Sequence, residues 1–206
     1  MPKLTPQRAE AQRRRILDAA LRCFADRGMH QTTMSDIFAA SGLSAGAVYG
    51  YFASKTEIVS AVADERHEFE ARLLHELSDS DDPVDRFLTD YLSQFANPDL
   101  RRATVQYWAE SLSDPRLAAT AHAGLRSLRK AKALVTRAQR DGLVRADIAP
   151  DVLSRLVLAL LQGLVLQHCW QPNLKLETCR RAIAALLAPP HSPAARKPRL
   201  RRRTSG

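Results

Sequence analysis

The sequence predicts an all-α fold of about nine helices. Apolar residues recur at helical spacing, and capping residues, glycines and prolines separate the apolar segments. No segment shows sustained alternation of apolar and polar residues with β-branched side chains, so no sheet is predicted. With 206 residues, 45% of them hydrophobic, the chain is long enough to bury a sizeable core.

The first two helices are predicted from one apolar face and two terminating glycines. Apolar residues at spacing i, i+4, i+7 and i+8 predict an amphipathic helix over about 9–27, which Gly28 ends. Thr33 and Asp36 resemble a capping box, in which each side chain bonds the other residue's backbone N–H. They predict a short second helix that ends at Gly42.

Two more capping signals follow. Ser44 is a good cap for a third short helix, which we expect to end near Phe52. Ser54 and Glu57 form a full S-x-x-E capping box, which predicts a longer helix reaching about Leu77.

The remaining helices are predicted from prolines at helix starts. Three capping residues directly precede a proline, and a proline is favoured at the first helical position. A fourth proline starts the most apolar segment of the chain. The predicted ranges are 83–96, 98–112, 115–140, 150–170 and 174–188.

Positive charge is concentrated at the two ends of the chain. The net charge of +9 and the pI of about 10 point to a polyanionic partner, either nucleic acid or an anionic membrane surface. Residues 1–15 hold five basic side chains against one acid, and residues 191–206 hold six with no acid. The Pro-, Ser- and Arg-rich tail, 189–206, is predicted to be disordered. It would either add sequence-independent DNA affinity or serve as an inert solubilising tail.

Several functional classes find no support in the sequence. Three cysteines without a C-x-x-C pair make a disulfide framework or a zinc site improbable, so we expect no metal and no cofactor. No nucleophile–base set and no phosphate-binding loop is present, so we expect no enzyme. The longest apolar run, Leu156 to Leu166, is too short to span a bilayer, and no signal peptide follows Met1. We therefore expect a cytoplasmic, nucleoid-associated protein without a membrane partner.

Residues 33–52 have the layout of a helix-turn-helix. Two short predicted helices are joined by the tight turn 41–44, so the second helix can lie in the major groove while the first crosses the backbone. The surrounding residues follow the pattern Phe24-x-x-x-Gly28, Thr32-Thr33-Met34-x-x-Ile37 and Ser41-Gly42-Leu43-Ser44-x-Gly46-x-Val48-Tyr49-x-Tyr51-Phe52-x-Ser54-Lys55. This pattern resembles the signature of the TetR family of transcription regulators. The resemblance implies a homodimer that binds a palindromic or pseudo-palindromic operator.

The resemblance also implies which residues contact DNA. One group would hold phosphates, and a second group would face base edges. The phosphate group is Thr33, Tyr49, Tyr51 and Lys55; the base-edge group is Ser44, Ala45, Gly46, Ala47 and Gly50; Arg15 would reach flanking phosphates or the minor groove. No residue in 44–50 can form a bidentate base contact, so we expect phosphate contacts and DNA shape to carry much of the affinity. Phe38 and Gly50 depart from the family pattern, which usually has alanine and a larger residue there.

The second half of the chain is expected to bind a ligand and a second subunit. Segment 105–170 is similar to the subgroup that contains the choline-responsive betaine-pathway repressor, which implies an effector pocket but does not identify the effector. The predicted pocket residues, which fit a plain core equally well, are Phe87, Tyr91, Phe95, Tyr107 and Trp108. Because 152–166 is apolar almost all round, a partner subunit is expected to cover part of it. The predicted interface residues are Leu153, Leu156, Val157, Leu160, Leu161, Leu164, Ile183, Leu186 and Leu187.

These expectations combine into one organisation. A basic arm (1–8) precedes a three-helix helix-turn-helix domain (9–55), an effector-binding and dimerisation domain (56–188) and the tail (189–206). The predicted function is a repressor that a small-molecule effector releases from its operator. The alternative is a DNA-binding activator or architectural protein without an effector.

Overall fold

The computed structural model describes residues 5–77, 82–125 and 128–190. These residues contain ten helical segments and no strand, which confirms the predicted all-α fold. In chain order the helices are α1 (Pro6–Arg27), α2 (Met34–Ser41), α3 (Ala45–Tyr49), α4 (Lys55–Glu76), α5 (Pro83–Gln94), α6 (Pro98–Glu110), α7 (Pro115–Leu125), α8 (Leu128–Arg140), α9 (Pro150–Trp170) and α10 (Leu176–Leu187).

The helix bounds follow the predicted ones closely, with three differences. α1 begins at Pro6, inside the segment predicted as a basic arm. α3 ends at Tyr49, earlier than predicted, because Gly50 follows it as the C-cap. The helix predicted over 115–140 corresponds to α7 and α8, which flank residues outside the described ranges. Residues 1–4 of the arm and 191–206 of the tail also lie outside the described residues.

Local capping explains where the helices around the turn begin. Thr33 and Asp36 form the predicted capping box at the start of α2. Ser44 Oγ accepts from the Ala47 N–H at 3.2 Å and starts α3. Gly42, between the two helices, has a φ of +62°, a left-handed conformation that favours glycine.

The helices pack around two main apolar clusters. The first lies between α1–α4, α6 and α7, with fully buried Ile16, Ile37 and Val48 at its centre. The second lies between α5, α6, α8, α9 and α10, around Leu88 and Leu161. Because α6 and α7 contribute to the first cluster, they pack against the buried side of the helix-turn-helix domain and stabilise it.

Helix α9 presents one face to the core and one to the surface. Among the described residues, α9 is the one helix that is long enough and apolar enough to cross a membrane, by length and composition only. Its longest uninterrupted apolar run is short. Only 28% of its most apolar window is buried. On its outer face Val152, Leu156 and Leu160 are 43–48% exposed, and Leu186 of α10 is 61% exposed.

The structure corrects the predicted dimer interface. Five of the nine predicted residues are at most 7% exposed, because they pack inside the protomer's own second cluster. The five are Leu153, Val157, Leu161, Ile183 and Leu187. Leu164 is half-buried against the same cluster, so only Leu156, Leu160 and Leu186 are freely available to a partner.

Candidate nucleic-acid interface and ligand cavity

The outer face of α3 is open. Ser44, Ala45 and Gly46 are exposed, and Ala47 is half-buried. A Cβ placed on Gly46 would meet no atom within 4 Å. On the opposite side Val48 is fully buried, so the short helix is held by the core while its predicted base-facing residues lie at the surface.

Tyr49 is an exposed aromatic residue held by a second aromatic ring. Its side chain is 52% exposed, so its hydroxyl can be reached from solvent. The Phe38 ring meets it edge-on, with centroids 5.3 Å apart and an interplanar angle of 69°. The departure from the family pattern at Phe38 therefore has a structural role, because this ring restricts the orientation of Tyr49.

Tyr51 and Gly50 complete the end of α3. The Tyr51 hydroxyl donates to Gln12 Oε1 at 3.0 Å, and the side chain is half-buried. Tyr51 therefore ties the end of α3 to α1, and its hydroxyl hydrogen is used inside the fold. Gly50 is exposed, but a Cβ there would lie 3.3 Å from the Ala47 carbonyl oxygen, which leaves little room for a larger residue.

Lys55 has a different role from the predicted one. Its Nζ donates to three backbone carbonyls, those of Met29 at 2.8 Å, His30 at 3.1 Å and Thr32 at 2.9 Å. An ammonium group has three N–H donors, so all of them are used by the segment between α1 and α2. Lys55 thereby holds the segment that leads into the helix-turn-helix, and the predicted phosphate contact would have to replace these hydrogen bonds.

Thr33 is exposed, but its polar groups are already paired. Its hydroxyl and its N–H both donate to Asp36 Oδ2, at 2.8 and 2.9 Å. These hydrogen bonds hold the pKa of the Asp36 carboxyl below its usual range, and the ion pair with Arg27 lowers it further. A phosphate at Thr33 would meet this carboxylate, so the predicted contact would require the capping box to open.

Arg15 lies above the helix-turn-helix turn. A Cβ built on Gly42 would come within 2.7 Å of Arg15 Nη2, which places the guanidinium directly over this glycine. The neighbouring Arg13 and Arg14 both pair with Glu65 of α4. Among the described residues Arg15 pairs with no carboxylate, so it is the available cation of the three.

Gln106 is a contact that the sequence analysis missed. Its Nε2 donates to the Phe24 carbonyl at 3.0 Å, and its Oε1 accepts from the Met29 N–H. A side chain of α6 thereby clamps the end of α1 and the segment that Lys55 also holds. A lone glutamine in a helix carries no sequence signal for such a contact.

A largely apolar cavity lies between α4, α5, α8, α9 and α10. It encloses about 720 Å³ of empty space, including its solvent mouth. Its walls are Glu70, Leu74, Val84, Phe87, Tyr91, Ala131, Leu134, Val135, Val144, Leu153, Ser154, Val157, Leu158 and Leu187. Concave, mostly apolar pockets with a few polar groups are typical of small-molecule sites.

Two of the five predicted pocket residues line this cavity, and three do not. Phe87 and Tyr91 are in its wall. Tyr107 lines a separate, smaller cavity behind α1. Phe95 and Trp108 instead pack against Arg66, whose guanidinium carbon lies 5.5 and 5.7 Å from the two ring centroids. The aromatic faces of α5 and α6 are therefore partly core, as the alternative reading allowed.

Glu70 is the charged residue of the cavity wall that the sequence analysis did not single out. It shares a face of α4 with Leu73, Leu74 and Leu77, so its inward position was readable from helical spacing. Its Oε1 lies 2.9 Å from Arg66 Nη2, and the two side chains are 12% and 10% exposed. Burial raises the pKa of the Glu70 carboxyl, and the Arg66 charge partly offsets the rise.

The three cysteines are free thiols, of which Cys169 and Cys179 are half-buried. Cys23 is buried in the wall of α1, and burial raises the pKa of its thiol, as expected for a core residue. In residues 5–77, 82–125 and 128–190 no group of three or more His, Cys, Asp or Glu side chains could hold a metal ion.

Two family models match the chain. Residues 16–62 match the N-terminal model of the bacterial regulatory proteins of the tetR family. Residues 80–189 match the C-terminal model of the BetI-type transcriptional repressors. The first match covers the helix-turn-helix, and the second covers every cavity helix except α4.

Curated relatives carry the same assignment. The HTH-type transcriptional repressor Rv1474c of Mycobacterium tuberculosis is 32% identical over 177 residues, which cover 80% of this chain and 86% of that protein. The regulator TtgR of Pseudomonas putida is 39% identical over 85 residues, 41% of this chain. The chain spans about two fifths (40%) of the length of TtgR.

Solved structures share the whole fold. Salmonella enterica GusR superposes with a TM-score of 0.73 at 27% identity, covering 90% of this chain and 98% of that one. The complex of SmeT, a Stenotrophomonas maltophilia repressor, with triclosan superposes with a TM-score of 0.72 at 25% identity, covering 86% and 92%.

Proposed function

Since the chain belongs to the TetR family of bacterial regulatory proteins, we propose that it is a DNA-binding transcription repressor that a small-molecule effector releases from its operator. The observation that carries this proposal is the open outer face of α3, whose inner side is anchored by fully buried Val48. A short helix exposed in this way fits the major groove. The protein would act in the cytoplasm, on chromosomal DNA.

We propose that the DNA contacts divide into two groups. Tyr49 and Arg15 reach phosphates, because both are exposed and close to the turn. Ser44, Ala45 and Gly46 face base edges, and they offer small groups rather than bidentate donors. Phosphate contacts and DNA shape then carry most of the affinity, so binding weakens steeply with salt.

We propose that a second copy of the chain covers the outer face of α9. Exposed apolar side chains from two neighbouring helices form a patch there, and such patches mark interaction surfaces. The same face carries the exposed Arg155, whose charge would be costly inside a lipid bilayer. A two-fold axis through this face gives a symmetric dimer, which requires a two-fold symmetric operator.

The dimer has a direct test. Leu156→Asp places a charge inside the proposed interface, so analytical ultracentrifugation should show a monomer and DNA binding should lose its two-fold pattern. Leu112→Asp is the matched control, because Leu112 is an exposed leucine, 88% exposed, outside α9 and α10. A dimer that survives Leu156→Asp unchanged would place the interface elsewhere.

We propose that the effector binds in the cavity behind α4. Three residues first assigned to the dimer interface, Leu153, Val157 and Leu187, line this cavity instead. The BetI-type match of the C-terminal half does not by itself carry that subgroup's effector to this chain. The solved complex of SmeT with triclosan supports a ligand-binding role for this fold.

The decisive experiment is footprinting on the intergenic DNA beside the coding sequence, at several salt concentrations. Protection of a two-fold symmetric site is expected. Gly46→Glu should abolish it, because the new carboxylate has room in the fold but faces the DNA. Ala133→Glu, an exposed helical alanine on α8, controls for the added charge. Unspecific protection by both variants and the parent would contradict sequence-specific regulation.

A further inference from the structure

The walls of the cavity are almost entirely hydrocarbon. Of its fourteen lining residues, Glu70 alone is charged, and Tyr91 and Ser154 alone carry hydroxyls. Ser154 Oγ already donates to the Pro150 carbonyl within α9. The polar groups that a ligand can address are therefore the Glu70 carboxylate and the Tyr91 hydroxyl.

The charge of Glu70 is already compensated. Arg66, one turn earlier on α4, lies 2.9 Å from its Oε1, and both side chains are nearly buried. A second cation at Glu70 would face Arg66 in a poorly solvated site, and an anion would face Glu70 itself. The wall is therefore neutral as a whole and disfavours ligands of either net charge.

Two polar atoms at this wall lack aligned hydrogen bonds. The Tyr91 hydroxyl is fully buried beside the Arg66 guanidinium, to which it makes no well-aligned hydrogen bond. Burial raises the pKa of Tyr91 to about 12, so the group stays a neutral O–H. Glu70 Oε1 accepts no aligned hydrogen bond despite its short distance to Arg66. Buried polar groups without partners cost stability, and a ligand that pairs them recovers it.

One functional group carries both the donor and the acceptor that these two atoms call for. A hydroxyl can donate to a carboxylate and accept from a tyrosine at the same time, whereas an ammonium group only donates and a carboxylate only accepts. We propose that the cavity takes an uncharged hydrophobic alcohol or phenol, whose hydroxyl donates to Glu70 and accepts from Tyr91. This inference rests on the proposed function in one respect only, which is that the bound ligand acts as the effector.

The test uses one ring system, either unsubstituted or with one of three polar groups. Naphthalene, 1-naphthol, 1-naphthoate and 1-naphthylmethylammonium bring the same hydrocarbon to the cavity. Titration calorimetry with the full chain, in the absence of DNA, measures each affinity. We expect 1-naphthol to bind about tenfold or more tighter than naphthalene, since a buried hydrogen bond to a charged group is worth at least that factor, and both ions to bind more weakly than 1-naphthol.

Variants show whether the two polar groups make the difference. Tyr91→Phe and Glu70→Gln should each reduce the preference for 1-naphthol over naphthalene severalfold. Glu68→Gln is the matched control, because Glu68 lies on the same helix but its side chain is 71% exposed. Removing the Glu70 charge leaves Arg66 buried alone and can unfold the chain, and in that case Tyr91→Phe decides.

Each contrary outcome refutes a specific part of the proposal. Equal binding of naphthalene and 1-naphthol, the tightest binding by either ion, or no binding by any of the four probes overturns the ligand class. Binding of 1-naphthol that leaves a measured operator complex intact keeps the ligand class and refutes the effector role. Failure of operator binding itself counts against the proposed function and leaves the calorimetric result unaffected.

Discussion

Replacing Lys55 tests whether its ammonium group contacts a DNA phosphate or stabilises the fold. Lys55→Met removes three charge-assisted hydrogen bonds but keeps most of the side-chain volume. Two of them, to the carbonyls of Met29 and Thr32, are partly buried, and the third, to His30, is exposed. At about 1.5 kcal/mol for each partly buried bond and little for the exposed one, the free energy of unfolding should fall by about 3 kcal/mol.

Two measurements on the same variant provide the assay. Urea unfolding gives the loss of stability, and the salt dependence of operator binding gives the number of phosphate contacts. A residue that pairs with a phosphate contributes about 0.9 to the log–log salt slope, whereas one used inside the fold contributes nothing. We therefore expect lower stability with an unchanged slope.

A control variant and one contrary result complete the test of Lys55. Lys132→Met removes an exposed lysine of α8 and should change neither stability nor slope. If Lys55→Met unfolds at the parent's urea midpoint and its salt slope falls by about 0.9, the ammonium leaves the three carbonyls in the DNA complex. The original phosphate assignment would then stand.

Three further predictions concern single contacts. Phe38→Ala should weaken operator binding by roughly 3–10-fold, the worth of an edge-to-face pair, and should have no further effect in a Tyr49→Ala background, as a double-mutant cycle would show. Burial lowers the pKa of His67 to about 4, below its unfolded value of about 6.5. The unfolded chain therefore binds the extra proton, and the free energy of unfolding should fall by roughly 1–3 kcal/mol, relative to His67→Gln, as pH drops from about 6.5 to 4; parallel pH profiles of the two proteins would contradict this. Gly42→Ala should lower stability by about 1 kcal/mol because φ is +62°, whereas Gly46→Ala, in open space, should not lower it; equal melting temperatures for these two variants would count against a left-handed strain at the turn.

The predictions that failed are those that depended on which side of a helix is covered by distant parts of the chain. Leu156 and Leu153 are both leucines of the same apolar segment, yet one is 48% exposed and the other 3%. The sequence shows that the segment is apolar all round, but not which side the chain's own helices cover. Similarly, Phe87 and Phe95 were predicted on one face of the fifth helix, but Phe95 is its C-cap, and of the two only Phe87 lines the cavity.

Most of the helices and many of their ends could be predicted from local sequence signals. Caps such as Thr33 and Ser44, and the glycine at the turn, act over three or four residues, so their effect on the backbone is local and readable from sequence. The roles of Lys55 and of the α9 leucines, in contrast, depend on contacts with distant parts of the chain. Lys55 bonds the distant segment between α1 and α2, and the α9 leucines are covered or left open by other helices. The pairing of a polar group or the covering of an apolar one depends on which segments the fold brings together.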